Sequence, residues 1–295
     1  MANEIDALIQ DLRSGGELDA QGGFTLDPQK AREKLRQFQL ADPRSYVLLL
    51  VSAAVLSGAT RVDFRIDADD LYVRFDGVFT AADMDALYTS LFGSKDDPSA
   101  RPRQELALAL NAAMALEPAF ARIESADTSG VGVRSTIRPD LPDEIDTEVQ
   151  GLGPGTVVHI KDRFRTRNIV RFVQRFRGRI DEAVYLRERC RFSSVPITLD
   201  GRAISEGLHV PDALAKVEVA VPGGRAVVAW VEVGQPATVD LLVAGVWIAQ
   251  HRLDRFPFLH GFRVIVESTA LRKDVSQGDV VRDATYDALY TQLVD

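Results

Sequence analysis

Five arginines recur at every fourth position in one stretch of the chain: Arg163, Arg167, Arg171, Arg175 and Arg179. Residues four apart share one face of an α-helix, so the spacing predicts a cationic stripe along a helix from Arg163 to about Arg189. Such a stripe can bind nucleic-acid phosphates or an acidic partner protein. Alternatively it is a solvated face, with apolar neighbours packed inward and the arginines paired with the acidic loop Asp140 to Glu148.

Other side chains capable of chemistry are sparse. The four histidines are scattered and lack metal-ligand spacing, so no metal site is predicted. Cys190 is the single cysteine, which excludes an internal disulfide and a cysteine-based metal cluster. Its neighbours Arg189 and Arg191 would lower the pKa of an accessible thiol, whereas a packed cysteine would be inert. Neither a Gly-x-Ser-x-Gly elbow nor a complete phosphate-binding loop occurs.

Composition indicates a soluble protein of about two domains. The chain has 295 residues, 46% hydrophobic and 26% charged, with a net charge of −8 that argues against general affinity for nucleic acid. We find no membrane-spanning run, and the acidic N-terminus does not resemble a secretory signal, so we expect a cytoplasmic location. Ten arginines and one lysine against four acids make 161–191 a basic exception.

Periodicity predicts an α+β fold in which helices cover one face of a sheet. Two nearly all-apolar segments are predicted as core helices, RSYVLLLVSAAVLS after Asp42-Pro43 and Gln104 to Leu116. The predicted strands of this part are 61–66, 71–75, 119–125, 131–137 and 156–160, with a helix at 80–92 and an acidic loop at 139–154. Farther on we predict a strand at 195–199, a hairpin of 217–221 with 226–233, strands at 239–248 and 262–266, and a closing helix at 280–293.

The segment LLLVSAAVLSGATRVDFRIDADDLYVRFDG resembles a motif region of the GHKL ATPase superfamily. It is similar to the Glu-(three residues)-Asn helix that leads through Ala-Gly-Ala-Thr to the Asp-x-Gly-x-Gly turn. The closest branch is the ninety-kilodalton heat-shock chaperones, because LYTSLFGSK resembles their lid start and VQRFRGRIDEAVYLRERCRFSSVPITLDG their last N-domain helix and strand. The resemblance implies a two-layer α/β sandwich of GHKL (Bergerat) type over residues 1–205.

Residues 206–295 resemble the chaperones' middle domain and are expected to form a smaller α/β domain, possibly truncated. The resemblance is carried by VDLLVAGVWIAQ and by FPFLHGFRVIVESTALRKDVSQGDVV, which is similar to the stretch ending in an Asn-x-Ser-Arg loop. It implies that the arginine which would reach a terminal phosphate is replaced by Gln277. Arg272 and Lys273 lie nearby in the sequence.

The resemblance also implies that the nucleotide motifs are degenerate. Leu49 stands at the position of the catalytic glutamate and Ala53 at that of the magnesium-binding asparagine, so a proton acceptor and a metal ligand are missing. In the adenine turn Phe75 replaces Asp and Phe79 the second glycine, while Gly77 is retained and Asp76 is one position out of register. The glycine-rich phosphate turn is replaced by 103–108, which has no glycine.

We therefore expect a pseudo-ATPase without catalytic residues, metal or cofactor, acting as a scaffold or regulatory module for unidentified protein partners. One alternative is an ATP- and magnesium-binding ATPase with an unorthodox pocket at Asp76, Gly77 and Lys95. A second is binding of nucleic acid or an acidic partner through 163–191, with nucleic acid less favoured because the interleaved aromatic residues face the core. A homodimer through Ile5 to Leu12 is a further possibility.

Overall fold

The computed structural model describes residues 40–92, 97–139, 141–163, 180–231, 236–253, 260–274 and 276–293. These residues form two β-sheets and five α-helices, which makes the protein α+β as the sequence predicts. The helices are α1 (Tyr46–Leu56), α2 (Ala81–Asp85), α3 (Arg101–Met114), α4 (Asp181–Arg189) and α5 (Ala284–Gln292). Short 3-10 helices span Pro43–Ser45 and Thr89–Phe92.

The first sheet has eight strands in the order β5-β4-β3-β6-β2-β1-β7-β8. Its strands are β1 (Val62–Ile66), β2 (Asp70–Phe75), β3 (Phe120–Ala126), β4 (Val131–Arg138), β5 (Leu141–Gln150), β6 (Gly155–Lys161), β7 (Ile197–Leu199) and β8 (Arg202–Ala203). Alternate residues such as Phe64, Val73 and Val158 are fully buried in one core with α1 and α3. All neighbouring strands pair antiparallel except β1 and β7, which are parallel.

The predicted acidic loop at 139–154 was wrong, because most of it is strand β5 paired with β4. β5 is the edge strand of the sheet and most of its side chains are exposed, so it lacks the apolar alternation that identifies a half-buried strand. Charged side chains on such an edge discourage pairing with other chains. The acidic residues therefore protect an edge strand.

The second sheet has five strands in the order β12-β11-β13-β10-β9. They are β9 (Ala215–Val221), β10 (Gly224–Trp230), β11 (Thr238–Val243), β12 (Val246–Arg252) and β13 (Phe262–Ser268). The single strand predicted at 239–248 was wrong, because it is a hairpin that turns at Ala244 and Gly245. Both turn residues have positive φ, 48° and 80°, as a type I′ turn requires.

Two predicted helices have different extents in the structure. The helix expected at 80–92 has one short α-helical segment, α2, which Thr80 and Asp83 start with a capping box, and then the 3-10 turn Thr89–Phe92. The final helix starts at Ala284 rather than Val280, because Asp283 caps it through the backbone amides of Thr285 and Tyr286. Of the basic helix, 164–179 lies outside the described residues and Asp181–Arg189 is helical.

The two sheets share one hydrophobic core. The buried cluster that contains Leu50 of α1 and Leu106 of α3 continues to Val239 and Val266 of the second sheet. The β11–β12 turn presses on α1, since a Cβ at Gly245 would lie 2.9 Å from Cγ2 of Val55. Division of the chain into domains 1–205 and 206–295 stays a prediction.

Candidate functional site: the predicted nucleotide positions and the cleft beside them

Helix α1 places both sequence-predicted catalytic positions in the core. Leu49 is 2% exposed and Ala53 is fully buried. The helix is apolar on all sides and packs against α3, α4 and β12, which explains why its sequence has no amphipathic pattern. Neither side chain can accept a proton or bind a cation, so these two positions supply no general base and no metal ligand.

The turn after β2 is filled by two phenylalanines. Phe75 is 2% and Phe79 3% exposed, and their rings meet edge to face with centroids 6.3 Å apart. Between them Gly77 approaches α1 so closely that a Cβ would lie 2.0 Å from Oγ of Ser57. Gly77 is thus required by packing, whether or not a ligand binds.

A buried network of hydrogen bonds, which the sequence analysis did not predict, holds the turn after β2 in place. Thr156 Oγ1 donates to the carbonyl of Gly77 at 2.7 Å and lies 2.9 Å from Oγ of Ser125. Ser125 Oγ in turn accepts from the amide of Phe79 at 2.8 Å. These backbone groups already have protein partners, and the threonine and serine lie on strands 46 to 79 residues away in sequence, where local spacing gives no signal.

The carboxylate of Asp76 is hydrogen-bonded to Thr60. It accepts a hydrogen bond from the amide of Thr60 at 2.7 Å and another from the Thr60 hydroxyl. The Thr60 hydroxyl lowers the pKa of Asp76, and this effect outweighs the smaller opposing effect of partial burial. Asp76 therefore ties the end of β2 to the loop before β1.

The segment at the predicted phosphate turn, 103–108, is helical. Arg103 within it and Arg101 just before it both contact other parts of the protein. Arg103 binds Asp83 of α2 at 2.8 Å. Arg101 donates to the carbonyls of Thr269 and Leu271, which connects α3 to the end of the second sheet. Lys95, the third residue of the unorthodox pocket, lies outside the described residues.

Leu49 and Gln277, predicted from separate motifs, line the same cleft, which is bordered by α1, α4 and β12. The cleft has a volume of about 430 Å³ and is also lined by Leu48, Tyr185, Arg189, Trp247 and Lys273. Arg189 donates to the carbonyl of Ile248 at 3.0 Å, and its guanidinium lies 4.8 Å from the centroid of the Trp247 ring. Burial, together with the Asp42 carboxylate that accepts from its hydroxyl, raises the pKa of Tyr185 to about 12.

Lys273, rather than Gln277, brings a cation to α1 and α3. Its Nζ lies 2.7 Å from Oε2 of Glu105 and 3.1 Å from Oγ of Ser52, and its side chain is 6% exposed. Gln277 donates through Nε2 to the carbonyl of Asp274 at 3.2 Å, while its Oε1 is buried with no hydrogen-bond partner. The lysine charge is already balanced by Glu105.

The predicted arginine stripe is largely outside the described residues. Arg167, Arg171, Arg175 and Arg179 belong to the segment 164–179, and Arg163 is half-buried. The stripe therefore stays a prediction.

The remaining candidates are the thiol of Cys190, a metal site and a membrane-spanning helix. Cys190 is fully buried, and burial raises the pKa of its thiol although Arg189 lies nearby, so the inert alternative holds. In the described part of the chain no group of three or more His, Cys, Asp or Glu side chains could hold a metal ion. None of the described helices combines the length and apolar character needed to cross a bilayer.

Comparison of the chain with protein-family models and with curated proteins finds no match.

Proposed function

We propose that this chain is a nucleotide-independent relative of the GHKL chaperone ATPases and acts as a scaffold that binds partner proteins. The observation that carries the proposal is the burial of Phe75 and Phe79 against each other at the turn where the resemblance places adenine. Leu49 and Ala53 are buried on α1, so core side chains stand at all three positions that the resemblance assigns to the base, the metal ligand and the adenine carboxylate.

The contacts between the sheets support a fixed shape. The Lys273–Glu105 pair, the Arg101 contacts and the shared hydrophobic core join the second sheet to α1 and α3 without a ligand. A nucleotide can shift a conformational equilibrium only through different affinities for two states. A chain that binds no nucleotide lacks this means of switching between two arrangements, which suits a scaffold.

Calorimetry and thermal-shift titration with magnesium ATP, ADP and a non-hydrolysable ATP analogue test the proposal. A ligand with a Kd of about 50 μM would stabilise the native state by about 1.8 kcal/mol at about 1 mM. We expect neither heat of binding nor a shift in melting temperature. A saturable signal that Asp76→Asn abolishes would overturn the proposal in favour of the unorthodox ATPase.

A further inference from the structure

One face of the eight-stranded sheet is not covered by α1 or α3. Along β1 and β2 the buried residues Phe64 and Val73 alternate with residues that point the other way, among them Arg65 and Tyr72. Tyr72 is 40% exposed, although it is a large aromatic residue. We call this side of the sheet the outer face.

A row of four residues crosses the outer face on adjacent strands. Arg65 of β1 pairs with Tyr72 of β2, Tyr72 with His159 of β6, and His159 with Arg122 of β3. Neighbouring strands lie about 4.8 Å apart, so the two arginines at the ends of the row are separated by about 14 Å. Arg74 lies two residues from Tyr72 on the same strand and is exposed.

Two acids beside the row are paired, whereas three arginines of the outer face are not. Asp70 binds Lys161 and His159, and Glu124 binds Arg134 at 2.7 Å. Arg65, Arg74 and Arg122 form no ion pair with any residue of the described chain, and Nε of Arg122 is buried without a hydrogen-bond partner. The charges of these three arginines are thus not balanced by an ion pair within the described part of the chain.

The aromatic rings of the row are already engaged with other groups. The Tyr72 and His159 rings stack with centroids 4.0 Å apart and an interplanar angle of 12°. The edge-on Phe120 ring lies beside His159, and the Arg122 guanidinium lies 5.1 Å from the Phe120 centroid. Proteins that bind single-stranded nucleic acid through aromatic residues need free ring faces on which bases stack. The outer face is therefore better suited to carboxylates.

We propose that the outer face binds an acidic, extended segment of a partner protein. Carboxylates about four residues apart in an extended chain span the distance from Arg65 to Arg122, and a third carboxylate reaches Arg74. This inference rests on the proposed scaffold function, since it assigns a partner class and a surface to it.

The test is fluorescence anisotropy of fluorescein-labelled octaglutamate, with octaglutamine as the uncharged peptide, at low salt and pH 7. Removing two charge contacts with Arg65→Gln/Arg74→Gln should weaken octaglutamate binding about tenfold. Arg65→Lys/Arg74→Lys keeps the charge and should recover most of the affinity. Arg225→Gln removes an exposed arginine from β10 of the other sheet and should change the affinity less than about twofold.

Several results would overturn the assignment. Equal binding of octaglutamate and octaglutamine, or equal weakening by Arg225→Gln, shows that the outer face is not the site. Tighter binding of a single-stranded oligothymidylate than of octaglutamate refutes the acidic-peptide class. ATP binding or hydrolysis, measured separately, would overturn the proposed function while leaving the peptide result interpretable on its own.

Discussion

Nζ of Lys273 lies 2.7 Å from Oε2 of Glu105, although the two residues are 168 positions apart in the sequence. The pair joins α3, which packs on the first sheet, to the chain that follows the second sheet. Only 6% of the lysine side chain and 13% of the glutamate side chain are exposed, so each charge depends on the other for compensation. The resemblance places Gln277 where the family has an arginine, but the buried cation beside α1 is Lys273.

Lys273→Met should lower the free energy of unfolding by about 3 to 5 kcal/mol, because it leaves the Glu105 carboxylate buried without a counter-charge. The double variant Lys273→Met/Glu105→Gln should lose less, since it removes both charges. Urea unfolding of wild type, both single variants and the double variant measures the coupling. Arg191→Met, which breaks the exposed pair with Glu206, is the matched control and should cost less than about 1 kcal/mol. Additive losses at positions 273 and 105 would contradict the prediction.

Gly77→Ala should destabilise the protein by about 1 to 3 kcal/mol without any nucleotide present, because the new Cβ would lie 2.0 Å from Oγ and 2.9 Å from Cβ of Ser57. Thermal and urea unfolding measure the loss, and Ser57→Gly in the same background should restore part of it. Gly153→Ala is the control, as its Cβ would meet only Arg74 Nη2, at 3.6 Å. Equal melting temperatures for Gly77→Ala and Gly153→Ala would refute a packing role for Gly77.

Elements with a clear hydrophobic period could be predicted from the sequence. Alternation in 61–66 and 71–75 indicated the β1–β2 hairpin, and apolar runs indicated α1 and α3. The edge strand β5 was missed because it buries little, and the β11–β12 turn was missed because Ala244 is not among the residues that usually mark a type I′ turn. The sequence thus predicts the elements in which buried and exposed residues follow a regular period.

The site could be predicted only in part for a different reason. Through the resemblance, the residue types at Leu49 and Phe75 predict that a base and an adenine carboxylate are missing, and this stays a prediction. The contacts near these positions, such as Thr156 to Gly77 and Lys273 to Glu105, join residues 79 and 168 positions apart. Their pairing depends on how the strands and helices assemble, and one sequence carries no local sign of it.

Asp70 should contribute to the loss of stability in acid. Partial burial raises the pKa of this carboxyl, but hydrogen bonds and charge from Lys161 and His159 outweigh burial and hold the pKa below its ordinary value. Because the folded-state pKa lies below the unfolded value of about 3.9, the stabilisation is complete above about pH 4 and is lost as the pH falls through the folded-state pKa. Asp70→Asn should therefore flatten the fall in urea midpoint below about pH 4.

Asp146→Asn is the control for that pH profile, because it removes an exposed carboxylate from β5 and changes the net charge equally. Unfolding midpoints between about pH 2 and 6 should differ between the two variants. A profile for Asp70→Asn that follows the wild type throughout would mean that its contacts with Lys161 and His159 contribute no stability in solution.

Leu49→Glu introduces the glutamate that the resemblance expects at this position but should not produce ATP hydrolysis. Leu49 is 2% exposed, so the new carboxyl would be desolvated and the free energy of unfolding should fall by about 2 to 4 kcal/mol. Ala53 provides no metal ligand, and Phe75 stands where the resemblance places the adenine carboxylate. Leu49→Met, a swap of similar volume, should cost less than about 1.5 kcal/mol and serves as the control. Phosphate release above background from Leu49→Glu would show that other residues hold nucleotide and magnesium, and the ATPase alternative would then replace the scaffold.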